Sequence, residues 1–267
     1  MARKSSLATA TALRTLPPLM KPNIPLPGVA ILVVALLGIA VSGCKTSPPS
    51  AQSTPVVGAE PSAKPGVNAE YLKPDLDVTQ WVERFEREGR EIYDHRAAIV
   101  AAARLKPGMV MADIGAGTGL FTPAFSQAVG PKGKVYAVDI VPAFLERIRE
   151  RAASEGLANV QTVLGTERSV ELPPNSIDLA FICDVYHHFE YPQSSLASLH
   201  RALRPGGEVL LVEFKRVPGK SSDWILNHVR AGQEVFTAEI AAAGFQQIEE
   251  QDMLKDNYVV RFRKLRK

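Results

Sequence analysis

The chain has 267 residues, of which 46% are hydrophobic and 22% charged, a balance typical of a globular domain with additional segments. Its formal net charge is only +3 and its basic residues are scattered, which argues against a nucleic-acid-binding protein. Cys44 and Cys183 are its two cysteines, and no histidine and cysteine cluster has metal-ligand spacing along the chain, so we predict neither a disulfide nor a metal site.

The N-terminal part reads as a targeting segment followed by a tether. Residues 28–43 form an uninterrupted apolar run preceded by basic residues, short for a membrane span and of the length of a signal-peptide core. The run ends in Val-Ser-Gly-Cys44, which resembles the lipobox of bacterial lipoproteins, in which the cysteine is lipidated. We therefore expect residues 1–44 to be a signal peptide or an uncleaved membrane anchor, and a translation start at Met20 would give a signal of ordinary length. Residues 45–70, rich in Pro, Ser, Ala and Gly, are predicted to be a flexible tether.

Patterns of helix and strand then alternate through residues 71–267, the predicted globular domain. A helical segment over residues 77–104 begins at a capping box of Asp77 and Gln80 and breaks at Gly89, and its dense charges fit either a solvated face or a functional lid. Strands are predicted at 109–112, 134–138, 159–164, 177–183, 208–214, 245–251 and 258–263, and helices at 120–129, 142–156, 192–203, 223–230 and 237–243. This alternation predicts an α/β fold with a mainly parallel sheet, helices on both faces and a closing antiparallel pair.

The first strand leads into a glycine-rich loop that is typical of a nucleotide site. Asp113 is followed by glycine at three alternate positions, Gly115, Gly117 and Gly119. A dinucleotide fingerprint would need its third glycine at Leu120, so that pattern fails here. Asp139 ends the second strand about 20 residues later, where a carboxylate can accept hydrogen bonds from a ribose diol.

Four segments in this order resemble the motif series of class I S-adenosylmethionine-dependent methyltransferases: Val110–Gly119, Val135–Asp139, Leu203–Gly207 and Ala243–Phe245. The resemblance extends over roughly residues 81–264. It implies a Rossmann-like seven-stranded sheet of order 3-2-1-4-5-7-6, with the last strand antiparallel. It further implies S-adenosylmethionine as cofactor and methyl transfer to an acceptor that the sequence does not identify, a small molecule or a lipid-like compound.

The same resemblance implies particular cofactor contacts. The glycine loop would approach the methionine moiety, with Asp113 fixing the loop or reaching the amino group. Asp139 would bind the ribose and Ile140 the adenine ring, and an acid after the third strand would meet the adenine amino group. The residues implied are Asp113, Gly115, Ala116, Gly117, Gly119, Asp139, Ile140 and either Thr166 or Glu167.

Candidate catalytic residues follow the fourth strand, because open α/β sheets bind ligands at the carboxyl ends of their strands. Asp184 falls where the family places a residue near the methionine end or the acceptor. His187 and His188 titrate in a useful range, so one of them could act as base or orient the acceptor. The alternative is that one of these histidines caps or packs locally. His228 and Arg230 are weaker candidates for the rim of the acceptor pocket.

The targeting segment and the implied cofactor point to different compartments. A lipoprotein signal predicts a domain tethered in the cell envelope, on the periplasmic face, whereas S-adenosylmethionine is made in the cytosol. One alternative is an inner-membrane anchor with a cytoplasmic domain. Another is a non-catalytic, membrane-tethered binding module of the same fold. As a function, a nicotinamide-dependent oxidoreductase is the least favoured, because Leu120 stands where a dinucleotide fingerprint needs its third glycine. The oligomeric state is not predicted.

Overall fold

The computed structural model describes residues 60–266. The predicted signal segment, with Cys44, and positions 45–59 of the predicted tether lie outside the described residues. Within the described part, seven strands form one sheet in the order β3-β2-β1-β4-β5-β7-β6. These strands are β1 (Val110–Ile114), β2 (Lys134–Asp139), β3 (Val160–Leu164), β4 (Ile177–Cys183), β5 (Leu203–Phe214), β6 (Phe245–Gln251) and β7 (Asn257–Lys264).

The sheet confirms the predicted fold class and strand order. Strands β1 to β5 pair in parallel, and β7 runs antiparallel to both of its neighbours, β5 and β6. Strand β4 lies at the centre and is almost entirely apolar because both of its faces are covered. Leu179 and Phe181 point to one face of the sheet and Ala180 and Ile182 to the other, as the period of two requires.

Helices cover both faces of the sheet and build a core on each. Ile99 and Phe125 contribute to the core on one face, and Leu199 and Phe236 to the core on the other. No helix between residues 60 and 266 combines the length and apolar character needed to cross a bilayer. The helices are α1 (Val78–Phe85), α2 (Glu91–Asp94), α3 (Arg96–Ala102), α4 (Thr122–Val129), α5 (Pro142–Ser154), α6 (Pro192–Ala202), α7 (Asp223–His228) and α8 (Gln233–Ala242).

The segment predicted as one interrupted helix over residues 77–104 is three short helices. Gly89 adopts φ +83°, which ends the helical path after α1, and its N–H donates to the Asp94 carboxylate at 3.0 Å. The predicted cap is present in a modified form. The Asp77 carboxylate accepts from the Thr79 N–H at 2.9 Å, while the Gln80 amide donates to that same carboxylate instead of reaching the Asp77 backbone.

Two boundaries near the glycine motifs differ from the prediction. Strand β1 continues through Asp113, so this carboxylate is held on the sheet, and α4 begins at Thr122 instead of position 120. Strand β5 begins at Leu203, which lies opposite Ile177, and the chain bulges before pairing resumes at Glu208. The bulge passes through Gly206 at φ +78°, a conformation that glycine adopts without strain.

Residues 60–72, which we call the N-terminal strap, contact the domain beside the segment that follows β4. The Glu60 carboxylate accepts from the N–H groups of Gln193 and Ser194 at 2.7 and 2.8 Å, which caps α6. Ala63 donates its N–H to the Glu190 carbonyl at 2.8 Å. The predicted boundary between tether and domain, at residues 70 and 71, therefore falls inside a segment that contacts the fold.

The buried guanidinium of Arg261 on β7 gives a test of the sheet edge. Its side chain is 3% exposed and donates to Glu208 at 2.8 Å and to the Ala102 carbonyl. We expect Arg261→Met to lower the free energy of unfolding by about 2 kcal/mol, because the Ala102 carbonyl loses its buried donor, while Glu208 keeps only Arg263 as a partner. Urea denaturation followed by circular dichroism measures this change.

The matched control is Arg263→Met, because Arg263 lies on the same strand and also pairs with Glu208 at 2.8 Å, but its side chain is 53% exposed. Its loss should change the free energy of unfolding by about 1 kcal/mol or less. Equal effects of the two substitutions would contradict this account of the sheet edge.

Candidate functional site

The carboxyl ends of β1, β2 and β4 open into one cavity of about 530 Å³, a size typical of small-ligand sites. Residues Phe85 and Arg90, from α1 and the start of α2, line the same cavity from the N-terminal side. Every residue that the sequence nominated for cofactor contact or catalysis lines it, with the exception of Gly119. The fold therefore gathers the predicted site in one place.

The three positions of the loop are occupied by glycine for different structural reasons. All adopt positive φ, but a Cβ on Gly115 would lie 2.4 Å from the Val185 side chain, so that position has no room for one. A Cβ on Gly117 would meet no atom within 3.8 Å, its nearest neighbours being the Gly115 carbonyl and the Phe85 ring at 3.9 Å. A Cβ on Gly119 would lie 2.8 Å from the Ile148 side chain of α5, so this glycine permits helix packing, and it does not line the cavity.

The Asp113 carboxyl group is buried without a hydrogen-bond partner on one oxygen. It is 3% exposed, and its Oδ2 atom makes no hydrogen bond within the described residues. Burial, together with the nearby charge of Asp139, raises the pKa of Asp113 to about 8. A buried polar atom of this kind, at the wall of a cavity, has unused capacity to bind a cationic or hydrogen-bond-donating ligand.

Asp139 connects the glycine loop to the end of β2. Its Oδ2 accepts from the Gly117 N–H at 2.8 Å and its Oδ1 from the Val141 N–H at 2.9 Å. Burial raises the pKa of Asp139 to about 6, although the backbone N–H donors act in the opposite direction. Each carboxylate oxygen can accept a further hydrogen bond, so Asp139 can bind a diol while holding the loop.

The resemblance assigns three further residues to the adenine end of the cofactor. Ile140, Thr166 and Glu167 all line the cavity. Thr166 pairs with Ser169 in an isolated antiparallel β-bridge, and the Glu167 carbonyl accepts a hydrogen bond from the Ser195 hydroxyl at 3.0 Å. The structure therefore brings both alternatives for the acid position, Thr166 and Glu167, to the site.

Asp184 is engaged on both oxygens. Its Oδ2 accepts from Arg90 Nη2 at 2.8 Å and its Oδ1 from the Asn257 amide at 2.6 Å. Burial raises the pKa of Asp184, and the Arg90 guanidinium opposes this shift. Arg90 also donates to the Phe85 carbonyl at 2.9 Å, so the ion pair ties the α1–α2 segment across the cavity. This contact favours the lid interpretation of the charged segment.

Three histidines line another part of the same cavity. His187 is 1% exposed, and its Nδ1 lies 2.9 Å from both oxygens of the fully buried Glu213. The Nε2 atoms of His188 and His228 are 3.3 Å apart. Burial lowers the pKa of His188 to about 2 and that of His228 to about 4, with the neighbouring positive charges acting in the same direction. We name these three residues the histidine cluster.

Some of these residues were missed or misplaced at the level of sequence. Glu213 was not nominated, although a lone acid at the carboxyl end of the apolar strand β5 is a signal that could have found it. His228 does line the cavity, as its weaker nomination anticipated. Arg230 does not, because it pairs with Glu239 of α8 at 2.6 Å and lies over the Phe236 ring.

Comparison with known proteins supports the resemblance drawn from the motifs. Residues 112–211 match the family model described as a methyltransferase domain. The ubiquinone/menaquinone biosynthesis C-methyltransferase UbiE of Burkholderia mallei (strain SAVP1) is 33% identical over 122 residues, which are 46% of this chain and 50% of that protein. The chain thus spans about half the length of the curated relatives that it matches.

Solved structures share the fold. A SAM-dependent methyltransferase from Aquifex aeolicus superposes with a TM-score of 0.63 at 24% identity, covering 71% of this chain and all of that one. Phosphoethanolamine N-methyltransferase 2 of Haemonchus contortus, in complex with S-adenosyl-L-methionine, gives a TM-score of 0.53 at 24% identity, covering 68% of this chain and 47% of that one. The described domain therefore has the Rossmann-like methyltransferase fold.

Because the Asp113 carboxyl group is buried, we predict that replacing it will stabilise the protein, and that this stabilisation will depend on pH. In the folded chain Asp113 keeps its proton up to about pH 8, whereas its ordinary pKa is 3.8. The unfolded state binds fewer protons between these values, so this residue lowers stability as the pH rises through that window. Asp113→Asn cannot ionise, so its advantage over the wild type should grow from near zero at pH 4 to a few kcal/mol at pH 8, measured by urea denaturation.

Asp75→Asn, at an exposed position, is the control for general effects of removing one carboxylate. The stability difference between Asp113→Asn and the wild type is the quantity to follow. A difference that stays constant or shrinks with rising pH would refute the buried-carboxyl interpretation.

Proposed function

We propose that this domain is an S-adenosylmethionine-dependent methyltransferase that acts on a small, largely apolar acceptor. The observation that carries the proposal is the pair of buried carboxyl groups, Asp113 and Asp139, on either side of a glycine loop that faces one cavity. One carboxyl group would bind the amino group of the cofactor's methionine moiety, and the other would bind the hydroxyl groups of its ribose. The match of residues 112–211 to a methyltransferase domain supports the same conclusion.

The polar groups beside the glycine loop fit the chemistry of this cofactor. The unused Oδ2 of Asp113 would pair with the cationic amino group, which would also favour ionisation of that carboxyl group. Asp139 would accept from the ribose hydroxyls, and Ile140 would contact the adenine. The open side of Gly117 leaves room for the ligand to approach the backbone.

The cofactor, when bound, supplies an electrophilic methyl group on a sulfonium. The chain's contribution is to exclude water and to hold the acceptor in line with that methyl group, because alignment provides most of the acceleration of a displacement. The Arg90–Asp184 pair would keep the α1–α2 segment closed over the cavity. We assign Asp184 a positioning role, since both of its oxygens are already engaged.

His187 and His188 remain the candidate catalytic residues. Glu213 accepts from Nδ1 of His187, which leaves the Nε2 lone pair free to take a proton or to orient an acceptor hydroxyl group. His188 stands beside it on the cavity wall. These two side chains and Asp184 are the catalytic set that the sequence nominated.

The aromatic lining of the cavity indicates the chemistry of the acceptor. Tyr71, Phe85, Phe214 and Trp224 line the same cavity as the histidine cluster. An apolar ring would bury favourably among them. Curated relatives that match half of their length to this chain are named as C-methyltransferases of quinone biosynthesis, and a compound of similar apolar character suits this cavity. No nucleic-acid partner is proposed.

We also propose that the domain is held at the bacterial cell envelope by lipidated Cys44. Support comes from the basic residues, the apolar run 28–43 and the lipobox-like sequence that follows it. Positive charge before the run favours export of the domain to the periplasmic face. The alternative is an inner-membrane anchor with a cytoplasmic domain, and a lipid attached to Cys44 would distinguish the two.

Cofactor binding is tested on the glycine loop. We expect Gly117→Ala to fold, because its Cβ would come no closer than 3.9 Å to any protein atom, but to weaken S-adenosylmethionine binding at least tenfold by entering the ligand space. Asp139→Ala should weaken binding roughly 10- to 100-fold through the loss of charge-assisted hydrogen bonds. Isothermal titration calorimetry on the full chain measures both affinities.

Gly130→Ala is the matched control for Gly117→Ala. Gly130 also has positive φ, at +64°, and open space around its Cβ, but it ends α4 outside the cavity lining. An equal loss of affinity in Gly130→Ala, or unchanged affinity in Gly117→Ala and Asp139→Ala, would contradict the cofactor assignment. Normal binding without methyl transfer or cofactor hydrolysis would favour the non-catalytic module.

The envelope tether is tested at Cys44. Cells expressing the wild type should incorporate labelled palmitate into the protein and retain it in the membrane fraction, whereas Cys44→Ser should lose the label. Retention of unlabelled wild-type protein in the membrane fraction would favour the uncleaved anchor. Peptide mapping of the unprocessed precursor shows whether translation starts at Met1 or Met20.

A further inference from the structure

The histidine cluster brings together three imidazole rings that the sequence separates. His187 and His188 lie on the 3₁₀ turn after β4, and His228 ends α7. One ligand-competent nitrogen from each ring lies within 4.8 Å of the other two. All three side chains line the cavity. The cluster is thus an inward-facing group of nitrogen ligands, which the spacing along the chain did not reveal.

The separations of His228 from the other two histidines are close to those of tetrahedral metal coordination. Two nitrogens bonded to one zinc ion at about 2.05 Å in tetrahedral geometry lie about 3.3 Å apart, and their ring centres about 5.2 Å apart. The Nε2 atoms of His188 and His228 are 3.3 Å apart, and their ring centroids 5.1 Å. The centroids of His187 and His228 are 5.0 Å apart, while the adjacent His187 and His188 are closer, at 4.3 Å.

Each ring is also held in place by a neighbour. Nδ1 of His187 is bonded to Glu213, which leaves Nε2 as its ligand atom, so a bound metal ion would replace the proton-accepting role of that nitrogen. The Trp224 ring stacks on His228 with centroids 4.5 Å apart, and Tyr71 meets His188 edge-on at 5.2 Å. Such fixed orientations reduce the entropy lost when a ligand binds.

Glu213 is placed as the carboxylate that usually accepts from the second ring nitrogen of a metal-bound histidine and fixes the orientation of that ring. Its side chain is fully buried, and within residues 60–266 no Lys or Arg forms an ion pair with it. Its partners are the His187 ring and the N–H groups of His187 and Phe214. A buried carboxylate is normally paired with a positive charge or supports a metal site. In a carboxylate–histidine–metal arrangement, the carboxylate accepts from the histidine and its charge is balanced by the metal ion.

We propose that His187, His188 and His228 bind one divalent transition-metal ion of the zinc class, with Glu213 as the supporting carboxylate. Three histidine ligands leave a fourth position open, as in catalytic zinc sites. Because the three rings line the cavity, this position is on the cavity side, where it would coordinate an oxygen or sulfur atom of the acceptor. The Lys64 ammonium, which donates to the His228 carbonyl at 2.5 Å, opposes a cation here, and the Glu213 carboxylate offsets it.

Metal binding is tested with Co²⁺ and Zn²⁺ on the full chain after treatment with a chelator, without any methyl donor. We expect one Co²⁺ per chain, with the visible absorption of tetrahedral cobalt and without the near-ultraviolet band that a thiolate ligand adds. Zn²⁺ should displace it. His188→Ala and His228→Ala should abolish the absorption, and Glu213→Gln should weaken binding 10- to 100-fold.

His95→Ala is the matched control, because His95 is exposed at the junction of α2 and α3 and lies outside the cavity lining. It should bind Co²⁺ as the wild type does. Circular dichroism identifies any variant that fails to fold, and His228, which is only half-buried, is the substitution that the fold tolerates best. Absence of saturable binding, or binding retained in both His188→Ala and His228→Ala, would overturn the proposal. Because no cofactor is present, this outcome is independent of S-adenosylmethionine binding.

Discussion

The position of the glycine loop against the end of β2 is the constraint on which the site depends. The N–H groups of Gly115 and Ala116 donate to the Val138 carbonyl at 2.8 and 3.0 Å, and that of Gly117 donates to the Asp139 carboxylate. These bonds require a backbone path that only small residues at positive φ can follow. Once the loop is held there, the carboxylates of β1 and β2 and the residues that follow β4 all face one space.

Local patterns predicted the mainly parallel sheet, the family resemblance supplied its strand order, and all but one of the residues nominated for cofactor contact or catalysis line the cavity. A buried parallel strand reads as an apolar run, and a glycine loop followed by an acid at the end of the next strand is a regular arrangement. Boundaries were less accurate where tertiary contacts decide them. The bulge in β5 before Glu208 depends on pairing with β4, which no local pattern encodes.

The contacts that the sequence could not reveal are those between distant segments. Glu213 and His187 are 26 residues apart and meet only because β4 and β5 are neighbours in the sheet. Asp184 is held by Arg90 and Asn257, which come from opposite ends of the domain. The residue types and their positions in the chain can nominate such residues, as for Glu213, but they do not pair one residue with another. A nomination from sequence therefore identifies which residues line a site more readily than what each one does there.

The N-terminal strap contacts two residues of the histidine cluster, His188 and His228, which line the cavity. Asn68 donates to the His188 carbonyl at 3.2 Å, and Lys64 holds the His228 carbonyl. The strap has no regular secondary structure and few buried side chains, so its detachment is a smaller event than any opening of the sheet. Because Asn68 and Tyr71 also line the cavity, the strap is itself part of the cavity wall, so the stretch that leads into the domain also shapes the space in which a ligand would lie.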